Sequence, residues 1–296
     1  MLPNGILFIV SILVVHLFPG KPVSSVEVAE DSTLRVMSFN IRYNNPGDGP
    51  NAWPHRKETV ASVIRFHEAD LVGLQEAQKG MLAQLDSLLP GFDWFGPPRS
   101  TGDAGDEYTA ILYRTDRLEL LDQGAFWLSE TPDVRASKGW DAALPRNATW
   151  GKFRDRSTGE IFFHLNTHFD HMGKQARAES ARLLQRKLAE IAGSAPVVVT
   201  GDFNTGPDSA PYRVLTSGAE GASITLRDAM EVSILPHHGP TATWNGFEEI
   251  SPGQRIDFIF VNDGVRVLRH GILSEITEDG RFPSDHLPVL AEVDIL

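Results

Sequence analysis

The run Pro196-Val197-Val198-Val199-Thr200-Gly201-Asp202-Phe203-Asn204 ends an apolar stretch with a carboxylate and an amide two residues apart. Three β-branched residues in a row predict a strand buried on both faces. Period-two alternation puts Asp202 and Asn204 on one side of the chain and Phe203 on the other. Open α/β sheets hold ligands at such strand ends, although Gly-Asp and Asn-Thr-Gly-Pro are equally turn chemistry. The same feature recurs: Asn40, Glu76, His168, Asp257 and the pair Asp285-His286 each lie at one end of a predicted strand. If these residues converge, the carboxylates repel, and some must protonate or meet a cation. The chain has no cysteine, and oxygen donors outnumber histidines, so the cation is a hard one, Mg²⁺ first, with Mn²⁺ or Ca²⁺ as alternatives. A hard cation with histidines and amides suits attack of water on a phosphate ester, which needs charge stabilisation and an activated water. The sequence contains no His-Glu-x-x-His, Gly-x-Ser-x-Gly or P-loop motif. It also lacks the Asp-x-His and Gly-Asn-His-Asp/Glu motifs of dinuclear metallophosphatases.

The elements that must position these groups follow from periodicity. Strands are predicted at 34–40, 70–76, 109–113, 118–127, 161–168, the Val197-Val198-Val199 run that Gly201 breaks, 255–261, 265–273 and 287–293. Helices are predicted at 56–67, 81–89 and 173–191, the last stopped by Gly193, with a short helix capped by Asp208 or Ser209. Residues 44–54 and 99–107 read as loops, 131–145 as irregular, and Ser157-Thr158-Gly159 as a hairpin turn. There is no internal repeat, low-complexity block or interdomain linker.

Composition bounds the function class. At 296 residues, 41% hydrophobic and 22% charged, the chain suits one large α/β domain or two small ones. A formal net charge of −12 argues against tracking along nucleic acid on a basic surface. It leaves phosphate substrates open if a cation supplies the positive charge. Without cysteine, disulfides, thiolate metal sites, iron–sulfur clusters and cysteine nucleophiles are excluded. Ile6 to Val15 is an apolar run broken by Ser11, extended by Leu17-Phe18 and ended by Pro19-Gly20, with a small-residue cleavage site at Val23-Ser24-Ser25. It reads as a signal peptide over residues 1–25, although residues 1–5 carry no Lys or Arg. Residues 26–33 then form a tether, residues 34–296 a single domain, and the protein is exported. The alternative is an uncleaved anchor, for which the run is short. No membrane span is expected after cleavage.

Six motifs carry a resemblance: Phe39-Asn40-Ile41-Arg42, Leu74-Gln75-Glu76, Asn166-Thr167-His168, Gly201-Asp202-Phe203-Asn204, Arg255-Ile256-Asp257-Phe258 and Ser284-Asp285-His286. Their types and order resemble the endonuclease/exonuclease/phosphatase superfamily, which includes deoxyribonuclease I, abasic-site endonucleases, neutral sphingomyelinases, inositol-polyphosphate 5-phosphatases and deadenylases. The likeness runs from about residue 34 to 294. It is strongest to exported bacterial members with a Trp-Pro-His-Arg-like loop and a Thr-His-x-Asp-His segment. The resemblance implies a four-layer α/β/β/α sandwich: two mixed β-sheets packed face to face, helices outside, and the site at one end of the sheets. By the same likeness Glu76 is the main metal ligand, assisted by Asn40 and Asp285. Asp202 orients or deprotonates the attacking water, and Asn204 holds that water or a phosphate oxygen. His286, paired with Asp257, and His168 contact the scissile phosphate or stabilise its developing charge. The leaving-group acid varies within the group and stays open.

Arg42 stands where abasic-site endonucleases carry an acid, and would instead hydrogen-bond nearby carboxylates. Arg146 is a bidentate phosphate clamp or a surface arginine. His171 lines the cleft or caps the next helix, and Arg177 is a substrate contact or a solvated helix residue. Trp53 and Trp140, in predicted loops, would stack on a base or sugar or pin their loops. The substrate is a phosphate ester, whether nucleic acid, nucleotide, lipid headgroup or sugar phosphate. The competing class is a fold relative that binds such a ligand without hydrolysing it.

Overall fold

The computed structural model describes residues 33–102, 104–217 and 224–296. The expected leader and residues 26–32 of the expected tether lie outside the described residues. The first half of the chain builds β1 (Leu34–Asn40), α1 (Trp53–Phe66), β2 (Leu71–Gln75), β3 (Ala77–Gln78), α2 (Lys79–Leu88), β4 (Phe92–Phe95), β5 (Glu107–Tyr108), β6 (Ile111–Arg114) and β7 (Leu118–Trp127). The second half builds β8 (Asn147–Asp155), β9 (Ile161–His168), α3 (Lys174–Ala192), β10 (Val197–Asp202), α4 (Ala210–Ser217), β11 (Arg227–Asp228), α5 (Ala229–Val232), β12 (Asp257–Val261), β13 (Val265–Ile272) and β14 (Val289–Ile295). Among the described residues, two six-stranded sheets form, in the orders β13-β14-β1-β2-β6-β4 and β11-β12-β10-β9-β8-β7. Each is mixed, with one parallel pair at its centre: β1 with β2, and β9 with β10. A helix lies between the paired strands in sequence, α1 in the first case and α3 in the second, as a parallel connection requires. Among the described residues, no helix is long and apolar enough to cross a membrane.

Three apolar layers hold the sandwich together. Met37, Phe39, Val72 and Leu74 pack against Val60 and Ile64 of α1 and Leu82 of α2. Val197, Val199, Phe258 and Phe260 pack against Leu184 and Leu188 of α3 and Leu215 of α4. Between the sheets lie Leu34, Val36, Leu71, Phe162, Val198 and Ile259. Alternation therefore sends odd and even positions of each central strand into different cores.

The inward-facing register changes character along the strands. It runs Leu34, Val36, Ser38, Asn40 in β1 and Leu71, Gly73, Gln75 in β2. It runs Phe162, His164, Asn166, His168 in β9 and Val198, Thr200, Asp202 in β10. Apolar packing at one end gives way to a buried polar seam and then to the ionisable groups. In the seam Gln75 Nε2 donates to Asn166 Oδ1 (2.7 Å), Asn166 Nδ2 donates to the Leu74 and Ala110 carbonyls (2.8 and 2.9 Å), and Thr200 Oγ1 donates to Asn166 Oδ1 (3.1 Å). Gly73 makes this approach possible, because a Cβ there would lie 2.0 Å from Thr200 Oγ1.

His164, fully buried in the seam, contacts Thr200 Oγ1 through Nε2 at 2.9 Å. Burial pushes its imidazole down to about 3 from 6.5. Between those values the unfolded chain takes a proton that the folded chain refuses, so stability falls as pH drops through that window, by about 1.4 kcal/mol per pH unit. From pH 6.5 to 5 the loss from this residue is about 2 kcal/mol. Urea unfolding at both pH values should therefore give His164→Gln a shallower pH dependence than wild type. Equal slopes would refute the assignment.

Two local expectations are corrected. The stretch 44–54 is not wholly a loop: Pro46–Asn51 forms a 3₁₀ turn, and α1 already begins at Trp53. Pro54, the last residue of the expected loop, occupies the first turn of α1, where its missing N–H costs nothing. Trp53 is accordingly a core residue, 2% exposed, donating Nε1 to Gln84 Oε1 at 2.7 Å. Strand β4 was not predicted. Its four residues follow Pro90-Gly91 and, among the described residues, pair only with β6.

Candidate active site

Both parallel pairs point their carboxyl ends the same way, delivering Asn40, Glu76, His168 and Asp202 to one end of the sandwich. The antiparallel neighbours run the other way, so their amino ends arrive there too. Asp257 sits opposite Asp202 in the β10–β12 register, and Asp285-His286 precedes β14. Three site residues just past strand ends have positive φ: Arg42 (51°), Glu76 (61°) and Asn204 (49°). Such left-handed turns are costly for Glu and Arg and cluster at functional sites.

Asn40 lies at the centre. Its Nδ2 donates to Glu76 Oε1 (3.2 Å) and to Asp202 Oδ2 (3.0 Å), while Oδ1 accepts from the Arg42 amide (3.0 Å). The second oxygen of Glu76 accepts from the Tyr43 amide (3.1 Å). Asp202 Oδ1 accepts from the Asn204 amide (2.8 Å), and Asn204 Nδ2 donates to the Phe169 carbonyl (3.0 Å). His168 Nε2 stands 3.3 Å and His286 Nε2 3.8 Å from Asp202 Oδ2. His286 Nδ1 lies 2.9 Å from Asp257 Oδ2.

Burial, then the nearby Asp257, pushes the Asp202 carboxyl up to about 7, against the pull of His286. Burial opposes charge on His286 as well, but Asp257 and Asp202 outweigh it and hold the imidazole up at about 10. His168 moves the other way: burial, then Arg146 and Arg99, hold it well below its ordinary value. The two histidines facing Asp202 thus differ in charge at neutral pH.

Asp202, Asp257 and His286 offer ligand atoms all within 4.8 Å of one another. An imidazole protonated on both nitrogens cannot ligate a cation, so these three read as a hydrogen-bonded relay. A cation fits better at Glu76 and Asp285, which both line the cavity and are hard oxygen donors. Burial raises the Asp285 carboxyl, and Glu76 raises it further against the pull of His286. Asn40 Oδ1, already accepting from Arg42, keeps one lone pair and serves chiefly to orient Glu76 and Asp202.

The cavity holds about 650 Å³. Of the sequence-predicted residues, Glu76, His168, Asp202, Asn204, Asp285, His286, Arg42, Arg146 and His171 line it. Asn40 and Asp257 support it from behind. Arg42 pairs with Asp48 (3.0 Å) and approaches Asp285 (3.7 Å), matching its expected role beside carboxylates. Arg146 is 5% exposed, so it is no surface arginine; its Nη2 meets His171 Nδ1 at 3.2 Å. Arg177 does not line the cavity: its Nη1 donates to the Asp170 carbonyl (2.8 Å) and pins the loop before α3. Trp140 is also elsewhere, half-buried against the outer core of the second sheet, its amide held by Glu130.

Sequence reasoning missed two residues of consequence. Arg56, 3% exposed, donates to the carbonyls of Ile41 (2.9 Å), Pro283 (2.8 Å) and Arg42 (3.1 Å), tying α1 to the segments carrying Asn40 and Asp285. Trp244 lines the cavity and meets the His286 ring edge-on, with centroids 4.8 Å apart. The Asn245-Gly246 turn signal beside it was the available clue.

A family model described as the Endonuclease/Exonuclease/phosphatase family matches residues 37–286. The chain belongs to this family. An endonuclease/exonuclease/phosphatase from Bacteroides vulgatus is similar in structure: 41% identity, TM-score 0.84, 89% of this chain and 99% of that one covered. So is a mannosyl-6-phosphatase from Bacteroides thetaiotaomicron, with 37% identity, TM-score 0.80, and 88% and 99% covered. Nocturnin of Drosophila melanogaster is 25% identical over 314 residues, covering 90% of this chain and 47% of that protein. The chain spans less than half the length of such curated relatives, 48% for the Ccr4 exoribonuclease subunit of Emericella nidulans. The two mixed sheets with flanking helices are those of an endonuclease/exonuclease/phosphatase protein, and the family's members include phosphatases and nucleases.

Proposed function

We propose that this chain is a divalent-metal-dependent phosphoesterase that works outside the cytoplasm. The observation that carries the reading is the fixed contact set around Asp202. One oxygen is held by the Asn204 amide, and the other is held by Asn40 and faced by His168 and His286. A buried carboxylate with its proton affinity near neutrality is matched to taking a proton from water. His286, kept positive by Asp257, lies beside the place where charge gathers on a phosphoryl group. Glu76 and Asp285, with Asn40 behind them, would hold a hard dication. When bound, it neutralises phosphate oxygens that four cavity carboxylates, Glu76, Glu107, Asp202 and Asp285, would otherwise repel. Export rests on the apolar N-terminal run alone.

The test is hydrolysis of p-nitrophenyl phosphate and bis-p-nitrophenyl phosphate by the purified chain with Mg²⁺, Mn²⁺ or Ca²⁺. Turnover is expected with at least one metal, lost in EDTA and restored by the metal. Absence of turnover in every combination, with phosphate still bound, would make the chain a non-hydrolysing relative. The preferred ester separates monoesterase from diesterase.

A further inference from the structure

The catalytic cavity does not end at Trp244. A second hollow of about 520 Å³ adjoins it, lined by Asn204, Trp244, Glu249, Ser251 and Gln254, and the two hollows share Asn204 and Trp244. Trp244, whose ring meets His286 edge-on, therefore lies where the reacting groups and an adjoining trough meet. We propose that this trough is the leaving-group subsite and that it takes a neutral, polyhydroxylated group, a hexose or pentose, so that the substrate is a sugar phosphate. This rests on the phosphoesterase reading and adds to it the part of the substrate that departs.

The trough is built rather than incidental. Trp244 donates its amide to the Gln254 carbonyl (3.1 Å) and accepts from the Ser251 amide (2.9 Å), closing the 244–254 loop on itself. Asn245, 2% exposed, donates to the Ser284 carbonyl (3.0 Å), and its own amide donates to the Asp285 carbonyl (2.9 Å). The loop is thus anchored on the segment that supplies Asp285 and His286. A platform fixed to the catalytic residues aligns the leaving oxygen without an ordering cost at binding.

Its chemistry is selective. An indole face accommodates the C–H face of a sugar ring, and a carboxylate, a carboxamide and a hydroxyl accept or donate hydrogen bonds to ring hydroxyls. Among the described residues, no cationic side chain lines the trough, whereas Arg42, Arg99 and Arg146 line the catalytic cavity. A second phosphate placed in the trough would face Glu249 with no cation to offset it. That disfavours nucleoside polyphosphates and the next phosphate of a polynucleotide. The reaction is then sugar–O–phosphate plus water giving sugar–OH plus phosphate. The water oxygen–phosphorus bond forms, the bond from phosphorus to the sugar oxygen breaks, and one water proton ends on the sugar oxygen.

The experiment compares kcat/KM on glucose 6-phosphate, mannose 6-phosphate, ribose 5-phosphate, glycerol 3-phosphate and ATP, for wild type and for Glu249→Gln and Trp244→Ala. Wild type should favour at least one of the three sugar phosphates over glycerol 3-phosphate and ATP, because remote contacts contribute in the transition state. Each variant should lower the sugar phosphate to glycerol 3-phosphate ratio about tenfold or more. Glu249 is exposed, so its substitution tests the subsite even if Trp244→Ala fails to fold. Saturation-transfer NMR with the free hexoses and ribose reads the trough without catalysis: a signal in wild type, weakened in Glu249→Gln, supports the proposal. Preference for ATP or glycerol 3-phosphate, or unchanged ratios in Glu249→Gln, would overturn it while leaving the phosphoesterase reading intact. Absence of all turnover with the sugar signal retained would sink the phosphoesterase reading, and with it the leaving-group role, while showing that the trough still binds a sugar. No turnover and no sugar signal would end both.

Discussion

Asp202→Asn should leave a folded protein that turns over its substrate about 10⁴-fold more slowly, since groups that act as one unit fail together. Asparagine keeps the shape and one acceptor oxygen, so the contact from the Asn204 amide survives. It cannot take a proton, and it removes the negative charge between His168 and His286. The new NH₂ then faces the Asn40 Nδ2 that donates to the other carboxylate oxygen (3.0 Å), a donor–donor contact that costs some stability, but a second effect opposes it. Burial holds the Asp202 carboxyl at about 7, above its ordinary 3.8, so ionising it costs the folded state stability as pH rises between those values. Asparagine removes that cost, which offsets the donor–donor contact with Asn40, so the melting temperature at pH 8 should change little while kcat collapses. Loss of activity with stability retained is the mark of a site that sacrifices stability for function. A variant with kcat within tenfold of wild type would show that the water is activated elsewhere.

The ends of the strands were readable because two local signals coincide there: β-branched runs that stop, and an acid, amide or histidine placed by period-two alternation. That is how Asn40, Glu76, His168, Asp202 and Asp257 were found without knowing which strands pair. The polar seam beneath them was not readable in the same way. Ser38, Gln75, Asn166 and Thr200 are all fully buried, yet polar residues at alternate strand positions ordinarily mark a solvated face. Only the second sheet, brought from more than ninety residues away in the Gln75–Asn166 contact, makes that face an interior. The tryptophans failed for a related reason. Trp53 and Trp140 were conspicuous for lying in stretches that read as loops, but the first starts a helix and the second packs away from the cavity. Trp244 reaches the cavity through backbone contacts between the 244–254 loop and the Asp285-His286 segment, a long-range pairing with no local signature. Arg56 was hidden too, because buried arginines that serve backbone carbonyls resemble any other helical arginine.

Glu76→Gln should raise the Mg²⁺ concentration needed for half-maximal activity at least tenfold and lower saturated turnover by about 10³-fold. The carboxylate is held at both oxygens, by Asn40 Nδ2 (3.2 Å) and the Tyr43 amide (3.1 Å), and both partners are donors. A carboxamide must present its own NH₂ to one of them, so the substitution removes charge and also breaks the geometry that aims the remaining oxygen. Backbone conformation supplies an independent readout. Glu76 sits at φ 61°, a left-handed turn that costs a non-glycine residue about 1 kcal/mol or more. Glu76→Gly should therefore remove activity as completely as Glu76→Gln, yet be about 1 kcal/mol more stable in urea unfolding than Glu76→Ala, which lacks the same carboxylate but keeps the strained backbone. A carboxylate kept in an unfavourable conformation at the mouth of a cavity has a use there that stability alone does not explain. Direct Mn²⁺ binding followed by electron paramagnetic resonance should weaken in Glu76→Gln and Glu76→Gly. Unchanged binding in Glu76→Gln would move the cation away from this residue and toward Asp285.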